Sequence, residues 1–449
     1  VELKQKRVLV VGAGVSGEAA ARLCLGQGAR VAITDQGAGS KRAGELESSG
    51  AELHFGGFRE EDFISCDLLV LSPGIDPRLF VVRKAVARGI PVIGEMELGF
   101  RFLKAPSIMV TGTNGKSTVT TLIGLLLEAE GYEVFTGGNL GEPLCSLINS
   151  GRQVDWAVLE VSSFQADTAP TMSPKVGVLL NITEDHLNRY ENFTAYGDSK
   201  FSFFLRQGPE DIAICKADDR EIAKRIPMAN AQVQYFSETA LLRPGGWLEG
   251  DDLVISVTDQ EQMRIDASQT PLQGTFNRLN LLAACMAAKA CAVRPDAMHR
   301  VIREFKGLPH RVELVGTLDQ VDFVNDSKAT NVGAVQAALA SLDRDLILLL
   351  GGRDKKGNFA DLAPFMGPRL KGLICFGEAG QTISEQLEPF YKGHLVSDLP
   401  GAFELSRELA RPGDMVLLSP GCASFDAYKS YGQRGDHFRS LVLEALSGD

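Results

Sequence analysis

Short apolar runs recur along the chain, each broken by glycine or polar residues and followed by a stretch with helical spacing. RVLVVG, RVAITD and DLLVLSPG come first, with SGEAAARLCLGQG reading as a helix between the first two. SIMVTGTNGKST, DWAVLEVSS and KVGVLLNIT follow, and then VDFVND, LILLLGG, GLICFG and DMVLLSPG. This alternation predicts parallel sheets covered by helices, an α/β fold. The pattern starts afresh three times, with boundaries expected near 95 and 307. NRLNLLAACMAAKACAV reads as a helix, whereas 208–270 mixes strand and loop signals that the pattern does not order.

A chain of 449 residues suits two to four domains. No apolar run approaches the ~20 residues of a membrane helix, and VELKQKRVLVV passes from charges into a strand without a signal-peptide layout. The eight cysteines are scattered with no C-x-x-C pair, so neither a disulfide framework nor a zinc site is expected, which fits a reducing cytoplasm. A net charge of −11 argues against a nucleic-acid partner. It leaves room for an acidic small molecule, because local loops can oppose the global sign.

Two glycine-rich loops carry the chemistry. Gly12, Gly14 and Gly17 have G-x-G-x-x-G spacing between a strand and a helix, and Asp35 closes the next strand. That arrangement cradles a diphosphate on a helix N-terminus and holds a ribose hydroxyl. It fits NAD, FAD or another nucleotide diphosphate, and also a loop that only packs a helix on a strand. The second loop, VTGTNGKST, ends like an ATP phosphate loop but has Val110 where the common pattern has glycine. Backbone amides from Thr113 to Ser117 would face the phosphates, Lys116 would neutralise them, and the Ser117 hydroxyl could ligate Mg²⁺. Glu160 ends a following strand, where a carboxylate could reach the metal or simply face solvent. Asp185, His186 and Lys200 are open, by themselves, to structural or solvated readings.

Taken together, VTGTNGKST, LEVSSFQ, NITEDHLNRY, the Ser199–Lys200 pair, GLPHRVE, NDSKATN and LSPGCASFD stand in the order seen in the Mur ligases. The resemblance covers essentially the whole chain and is strongest to the branch that adds D-glutamate. NDSKATN discriminates best, and the Asp-Asn-Pro-Arg motif of the diaminopimelate-adding sister is absent. The resemblance implies a Rossmann-like domain at 1–95 for a UDP-substrate, a central P-loop ATPase-like parallel sheet at 96–306, and a C-terminal Rossmann-like α/β domain at 307–449. It also explains Val110, since the family's ATP loop is the short form.

The implied reaction is ATP-dependent ligation of D-glutamate to UDP-N-acetylmuramoyl-L-alanine in peptidoglycan precursor synthesis, by a cytoplasmic monomer without membrane insertion. ATP would meet Gly112, Thr113, Asn114, Gly115, Lys116, Ser117 and Thr118. Asn277, Asn280, Arg311 and Asp326 would also contact ATP, with Asn280 nearer the adenine, and Lys328 would act at the acyl-phosphate. Mg²⁺, as two ions, would take Ser117, Glu160, His186 and a CO₂-derived carbamate on Lys200. Ser16, Asp35, Ser72, Gly74 and Asn139 would line the UDP-substrate path. Thr330, Lys355, Ser424, Phe425 and Tyr431 would receive D-glutamate, with Lys356 the alternative to Lys355.

Phe276 stands where the family often has histidine, and Gly37 lacks a basic side chain that some relatives place by the uracil. A sister ligase or folylpolyglutamate synthase would differ in the amino acid that drives ADP release. An NAD-dependent oxidoreductase would rest on GAGVSG and Asp35, leaving the second loop unexplained. A nucleotide-regulated binding protein would not need Lys116, Glu160, His186 and Lys200 together.

Overall fold

The computed structural model of the chain describes residues 2–37, 41–185, 189–240, 244–258, 261–272, 274–342, 344–355 and 357–448. They form three sheets, one for each restart of the sequence pattern. The first comprises β1 (Arg7–Val11), β2 (Arg30–Asp35), β3 (Glu52–Phe55), β4 (Leu68–Leu71) and β5 (Val92–Gly94), all parallel in the order β3-β2-β1-β4-β5. Val8 and Val10 enter one core with Ala20, Leu23 and Cys24, while Leu9 and Val11 enter another with Phe63, Val82 and Ala85. Alternate side chains of β1 are thus buried on both faces, which is why the run is apolar without polar alternation. Each fully buried Val or Leu contributes about 1.5–3 kcal/mol.

The second sheet comprises β6 (Ser107–Thr111), β7 (Val134–Gly138), β8 (Trp156–Glu160), β9 (Val176–Leu179), β10 (Ile212–Lys216), β11 (Gln232–Ser237), β12 (Gly245–Glu249), β13 (Asp252–Thr258) and β14 (Glu261–Asp266). Its order is β14-β13-β12-β11-β10-β9-β6-β8-β7. It departs from the parallel expectation at one end, where β12, β13 and β14 run antiparallel. Glu249 pairs with Asp252, so only Gly250 (φ 60°) and Asp251 turn the chain. So short a link reverses a strand but cannot cross over to a parallel one. The unordered 208–270 stretch thus becomes two parallel strands, β10 and β11, with the helix Arg220–Arg225 between them, followed by this ribbon.

The third sheet comprises β15 (Glu313–Leu318), β16 (Val321–Asn325), β17 (Leu346–Gly351), β18 (Leu370–Phe376), β19 (His394–Leu395) and β20 (Met415–Gly421), in the order β15-β16-β20-β17-β18-β19. Only β15 is antiparallel to its neighbour.

By packing, the chain divides into two compact units. One holds Val1–Ile182, Asn192–Ser268 and Leu279–Ile302, with the first two sheets; the other holds Thr183–Glu191, Gln269–Arg278 and Arg303–Asp449, with the third. Polar and apolar contacts join the first two sheets' layers: Asn149 Nδ2 donates to the Ala19 carbonyl at 2.9 Å, and the Cys145 amide donates to Glu95 Oε1 at 2.7 Å. All eight cysteines are buried and free, and burial pushes thiols such as Cys24 and Cys285 up to about 12. Among the described residues no helix is long and apolar enough to cross a membrane.

Candidate active site

The first glycine loop follows β1. Gly12 has φ 98°, and a Cβ there would lie 2.8 Å from Ser72 Oγ. A Cβ at Gly17 would lie 1.8 Å from the Gly12 carbonyl oxygen, so only glycine lets the helix Val15–Gly26 start against the turn. Ser72 Oγ donates to the same carbonyl at 3.1 Å. Asp35 Oδ2 accepts the Ala13 amide at 2.7 Å, and its Oδ1 accepts the Gly37 amide at 2.8 Å. The carboxylate braces the first glycine loop and the turn after β2, and keeps further lone pairs for a ligand hydroxyl. Ser16 is half-buried at the start of the helix, and Gly74 is exposed in the loop after β4.

The second loop is short because β6 continues through Thr111. Val110 is 0% exposed, opposite Glu160 on β8 and Val178 on β9. The position of the expected glycine is therefore sheet core. Gly112, Thr113, Asn114 and Gly115 alone connect β6 to the helix Lys116–Glu130. Gly112 (φ 148°) and Gly115 (φ 89°) take backbone angles that side chains rarely adopt. The loop is stitched to Asn181, whose carbonyl accepts the Thr113 amide at 3.0 Å and whose carboxamide exchanges bonds of 2.8 and 3.0 Å with the Asn114 backbone.

Several of the predicted residues stand around this loop. Lys116 Nζ donates to the Gly112 and Thr113 carbonyls at 2.9 and 2.8 Å. Lys200, only 2% exposed, donates to the Gly112 carbonyl at 2.8 Å from the helix Phe193–Phe201. Ser117 and Thr118 are buried in the first turn of the loop helix. Glu160, 2% exposed at the end of β8, accepts Asn139 Nδ2 at 2.6 Å, and its carbonyl accepts the Asn139 amide at 2.9 Å. Asn280 Oδ1 lies 2.6 Å from where a Gly115 Cβ would stand, so its carboxamide packs against the loop; Asn277 is on the first turn of the same helix, Thr275–Ala290. His186 lies outside the described residues. LEVSSFQ owes part of its pattern to a capping box, with Ser162 and Gln165 satisfying each other's backbone amides.

Among the described residues no three His, Cys, Asp or Glu side chains gather as a metal cluster. The Ser117 hydroxyl and the Glu160 carboxylate nevertheless suit Mg²⁺, which takes one or two carboxylates and completes its octahedron with water and phosphate oxygens.

The second unit carries the remaining predicted residues, with Asp326, Lys328, Thr330, Lys355, Ser424 and Phe425 in the segments that follow β16, β17 and β20, Arg311 just before β15, and Tyr431 at the start of the helix Tyr431–Ser447. Asp326 is 7% exposed, accepts Ser419 Oγ at 2.8 Å and the Val312 amide at 3.3 Å, and is pushed up to about 7 by burial, against the pull of Ser419 and of the Arg311 charge. Val312 has φ 44°, a strained angle for a β-branched residue costing on the order of 1–3 kcal/mol. The bonds from His310 N to Glu313 and from Val312 N to Asp326 hold this bend on either side of Arg311. Burial also holds the His310 imidazole below its usual range. Lys328 Nζ stands 3.8 Å over the Tyr431 ring. Thr330 and Lys355 are half-buried, Ser424 is buried and Phe425 is 63% exposed. Lys355 Nζ lies 3.9 Å from Asp185 Oδ1, and Asp185 Oδ2 accepts Asn331 Nδ2 at 3.0 Å. Lys356 lies outside the described residues.

Sequence reasoning missed Tyr196, Asn181 and Arg434. Tyr196 Oη lies 3.1 Å from Thr113 Oγ1, and its ring lies under Lys200 at 4.7 Å. The i, i+4 spacing of Tyr196 and Lys200 was an available signal. Arg434, 1% exposed, bonds Ser327 through both Oγ and the carbonyl at 2.9 Å and Cys422 O at 3.1 Å, and reaches the Gly351 and Ala423 carbonyls. It ties the ends of three strands together, and nothing in SYGQRG distinguishes it from a solvated arginine.

The chain matches family models for the Mur ligase MurD-like N-terminal domain over 6–94, the Mur ligase middle domain over 110–288, and the Mur ligase glutamate ligase domain over 310–422. It is 40% identical over 452 residues to the UDP-N-acetylmuramoylalanine--D-glutamate ligase of Pelotomaculum thermopropionicum, covering 100% of this chain and 99% of that one. It is 41% identical over 454 residues to the protein of the same name from Desulfosudis oleivorans, covering 100% and 98%. Among solved structures, MurF ligase from Thermotoga maritima in complex with ADP shares the fold, with a TM-score of 0.62 at 17% identity over 100% of this chain and 96% of that one. A pseudomurein peptide ligase type C from Methanothermus fervidus does so with a TM-score of 0.62 at 19% identity, over 98% and 100%.

Proposed function

The chain belongs to the Mur ligase family, and on that premise we propose that it joins D-glutamate to UDP-N-acetylmuramoyl-L-alanine at the expense of ATP, in peptidoglycan precursor synthesis. The observation that carries the reading is the convergence of Lys116 and buried Lys200 on the Gly112 carbonyl, beside Glu160 at the end of β8. The first glycine loop, with its Asp35 brace, then serves the UDP of the substrate rather than a nicotinamide cofactor.

Linking a carboxylate to an amine in water requires an activated carboxyl. The substrate carboxylate attacks the γ-phosphorus, a C–O–P linkage forms, and the β–γ bridging P–O bond breaks as ADP leaves. The amine then adds to the acyl carbon, phosphate departs with the C–O electron pair, and the nitrogen loses its proton. The protein's share is positioning and charge stabilisation. Lys116 would meet the γ-phosphate, with Arg311, Asp326, Asn277 and Asn280 assigned to the nucleotide and Lys328 to the acyl-phosphate. Ser16, Ser72, Gly74 and Asn139 are assigned to the UDP-substrate, and Thr330, Lys355, Ser424, Phe425 and Tyr431 to D-glutamate.

Mg²⁺, when bound, screens the repulsion between the anionic reactants. Ser117 and Glu160 would hold it, and His186 is assigned to a second ion. An ammonium at Lys200 would repel a cation, whereas a carbamate formed with CO₂ would attract one, so carbamylation of Lys200 belongs to the proposal. The reading implies a cytoplasmic monomer.

Incubation with ATP, Mg²⁺, D-glutamate and UDP-N-acetylmuramoyl-L-alanine, followed by mass spectrometry, tests it. A product heavier by one glutamyl residue, with equimolar ADP, is expected. Absence of that product under conditions where ATP binds would contradict the proposal.

A further inference from the structure

The helix Phe193–Phe201 has two working faces. Tyr196, Ser199 and Lys200 look toward the phosphate loop side, bonding Thr113, the Ser163 carbonyl and the Gly112 carbonyl. At about 100° per residue, Thr194, Gly197 and Asp198 fall on the other side. One guanidinium meets all three. Arg225, 3% exposed at the end of the helix Arg220–Arg225, donates Nε to Asp198 Oδ1 at 2.8 Å and one terminal nitrogen to the Thr194 carbonyl at 2.9 Å. Its other terminal nitrogen donates to the Glu221 carbonyl and carboxylate at 2.8 and 2.9 Å.

A Cβ at residue 197 would lie 2.5 Å from one of those nitrogens and 2.6 Å from the guanidinium carbon. Glycine weakens a helix interior relative to alanine, and a helix this short does not stand alone in water. Its place is therefore set from outside, and Arg225 sets it on the face away from the site. The Arg225 helix also holds the loop's other neighbour. Asp219 caps it through the Glu221 and Ile222 amides and, with its second oxygen, accepts the Ile182 amide at 2.8 Å, next to the Asn181 that stitches the phosphate loop.

We propose that Arg225 is a positioning residue for the nucleotide-phosphate site: by clamping the outer face of Phe193–Phe201 it fixes where Lys200 Nζ stands relative to the Gly112 loop. The inference rests on the ATP-ligase reading of that loop. A guanidinium that merely stabilised the fold would not act through Lys200.

The test is a double-mutant cycle. Arg225→Ala, Arg225→Lys and Gly197→Ala are compared in the wild-type and Lys200→Ala backgrounds, reading kcat for phosphate release and ATP affinity by calorimetry. Arg225→Ala should lower kcat about 10- to 100-fold and ATP affinity several-fold, with the KM for D-glutamate within about threefold. Arg225→Lys should recover part of the loss by reaching Asp198. Gly197→Ala should lose kcat although alanine favours the helix, and it carries the test if Arg225→Ala does not fold. In the Lys200→Ala background each change should cost less than about threefold. Equal losses in both backgrounds, or full kcat in Gly197→Ala, would overturn the inference. If the wild type binds ATP but releases no phosphate with D-glutamate, the ligase reading fails, and the cycle in ATP affinity still decides the role of Arg225.

Discussion

Lys200 Nζ and the Gly112 carbonyl oxygen are 2.8 Å apart, with the lysine 2% exposed. A buried ammonium is costly unless its protons are satisfied, and here the acceptor is the backbone of the phosphate loop itself. The helix that delivers Lys200 is thereby coupled to the loop that would hold ATP.

Lys200→Ala should reduce ligase turnover by roughly 100-fold or more, the scale of losing one organised electrostatic group. Short carboxylic acids such as formate and acetate should restore part of it by standing in for the carbamate. Steady-state phosphate release with and without the acids measures this, and full activity in the variant would remove both roles for Lys200.

Asp35 spends its carboxylate on the Ala13 and Gly37 amides. Each bond to a charged group is worth about 1.5–3 kcal/mol. Asp35→Ala should therefore loosen the first glycine loop and the turn after β2 and raise the KM for the UDP-substrate at least about tenfold, leaving ADP affinity unchanged by calorimetry. An equal loss of ADP affinity would show that the two glycine loops are not separate sites.

Glu95 is 1% exposed and accepts the Cys145 amide through Oε1, and among the described residues its Oε2 has no hydrogen-bond partner. Burial pushes it up to about 7 from an ordinary 4.5. The folded state then holds a proton that the unfolded state releases between those values. Its contribution is complete below about 4.5 and is lost as pH rises through 7, at up to about 1.4 kcal/mol per pH unit. Glu95→Gln should flatten that fall, which denaturant midpoints from pH 4.5 to 8 would register. A wild-type stability rising with pH relative to the variant would reverse the assignment.

The fold was largely legible because apolar β runs alternate with helical spacing in all three blocks. The antiparallel β12–β14 ribbon was not, since its register depends on a two-residue turn that periodicity does not reveal. Lys116, Glu160 and Lys200 could be named from motif order, but the reason Val110 replaces a glycine needed the register with Glu160 and Val178. Tyr196, Asn181, Arg225 and Arg434 escaped for a common reason. Asn181, Arg225 and Arg434 bond backbone far away in sequence, and Tyr196 meets the distant Thr113 side chain; a buried arginine and a solvated one are spelled alike.

Arg434 supplies a guanidinium to the ends of the strands that carry the D-glutamate assignments. Burial holds it down to about 10, still charged at neutral pH. Arg434→Ala would strand the carbonyls of Ser327 and Cys422 and should destabilise the second unit by about 3–5 kcal/mol. Arg434→Lys should recover only part, because a point charge cannot serve the planar spread of acceptors. Thermal melts of the two variants check this, and a shift of under a degree for Arg434→Ala would contradict it.

On the proposed function, a carboxylate activated with ATP is discharged onto D-glutamate. Phosphate release in the presence of ATP, Mg²⁺ and UDP-N-acetylmuramoyl-L-alanine should depend on D-glutamate and stay at background with L-glutamate, L-alanine or meso-diaminopimelate. Equal stimulation by another of these amino acids, or none by D-glutamate, would contradict it.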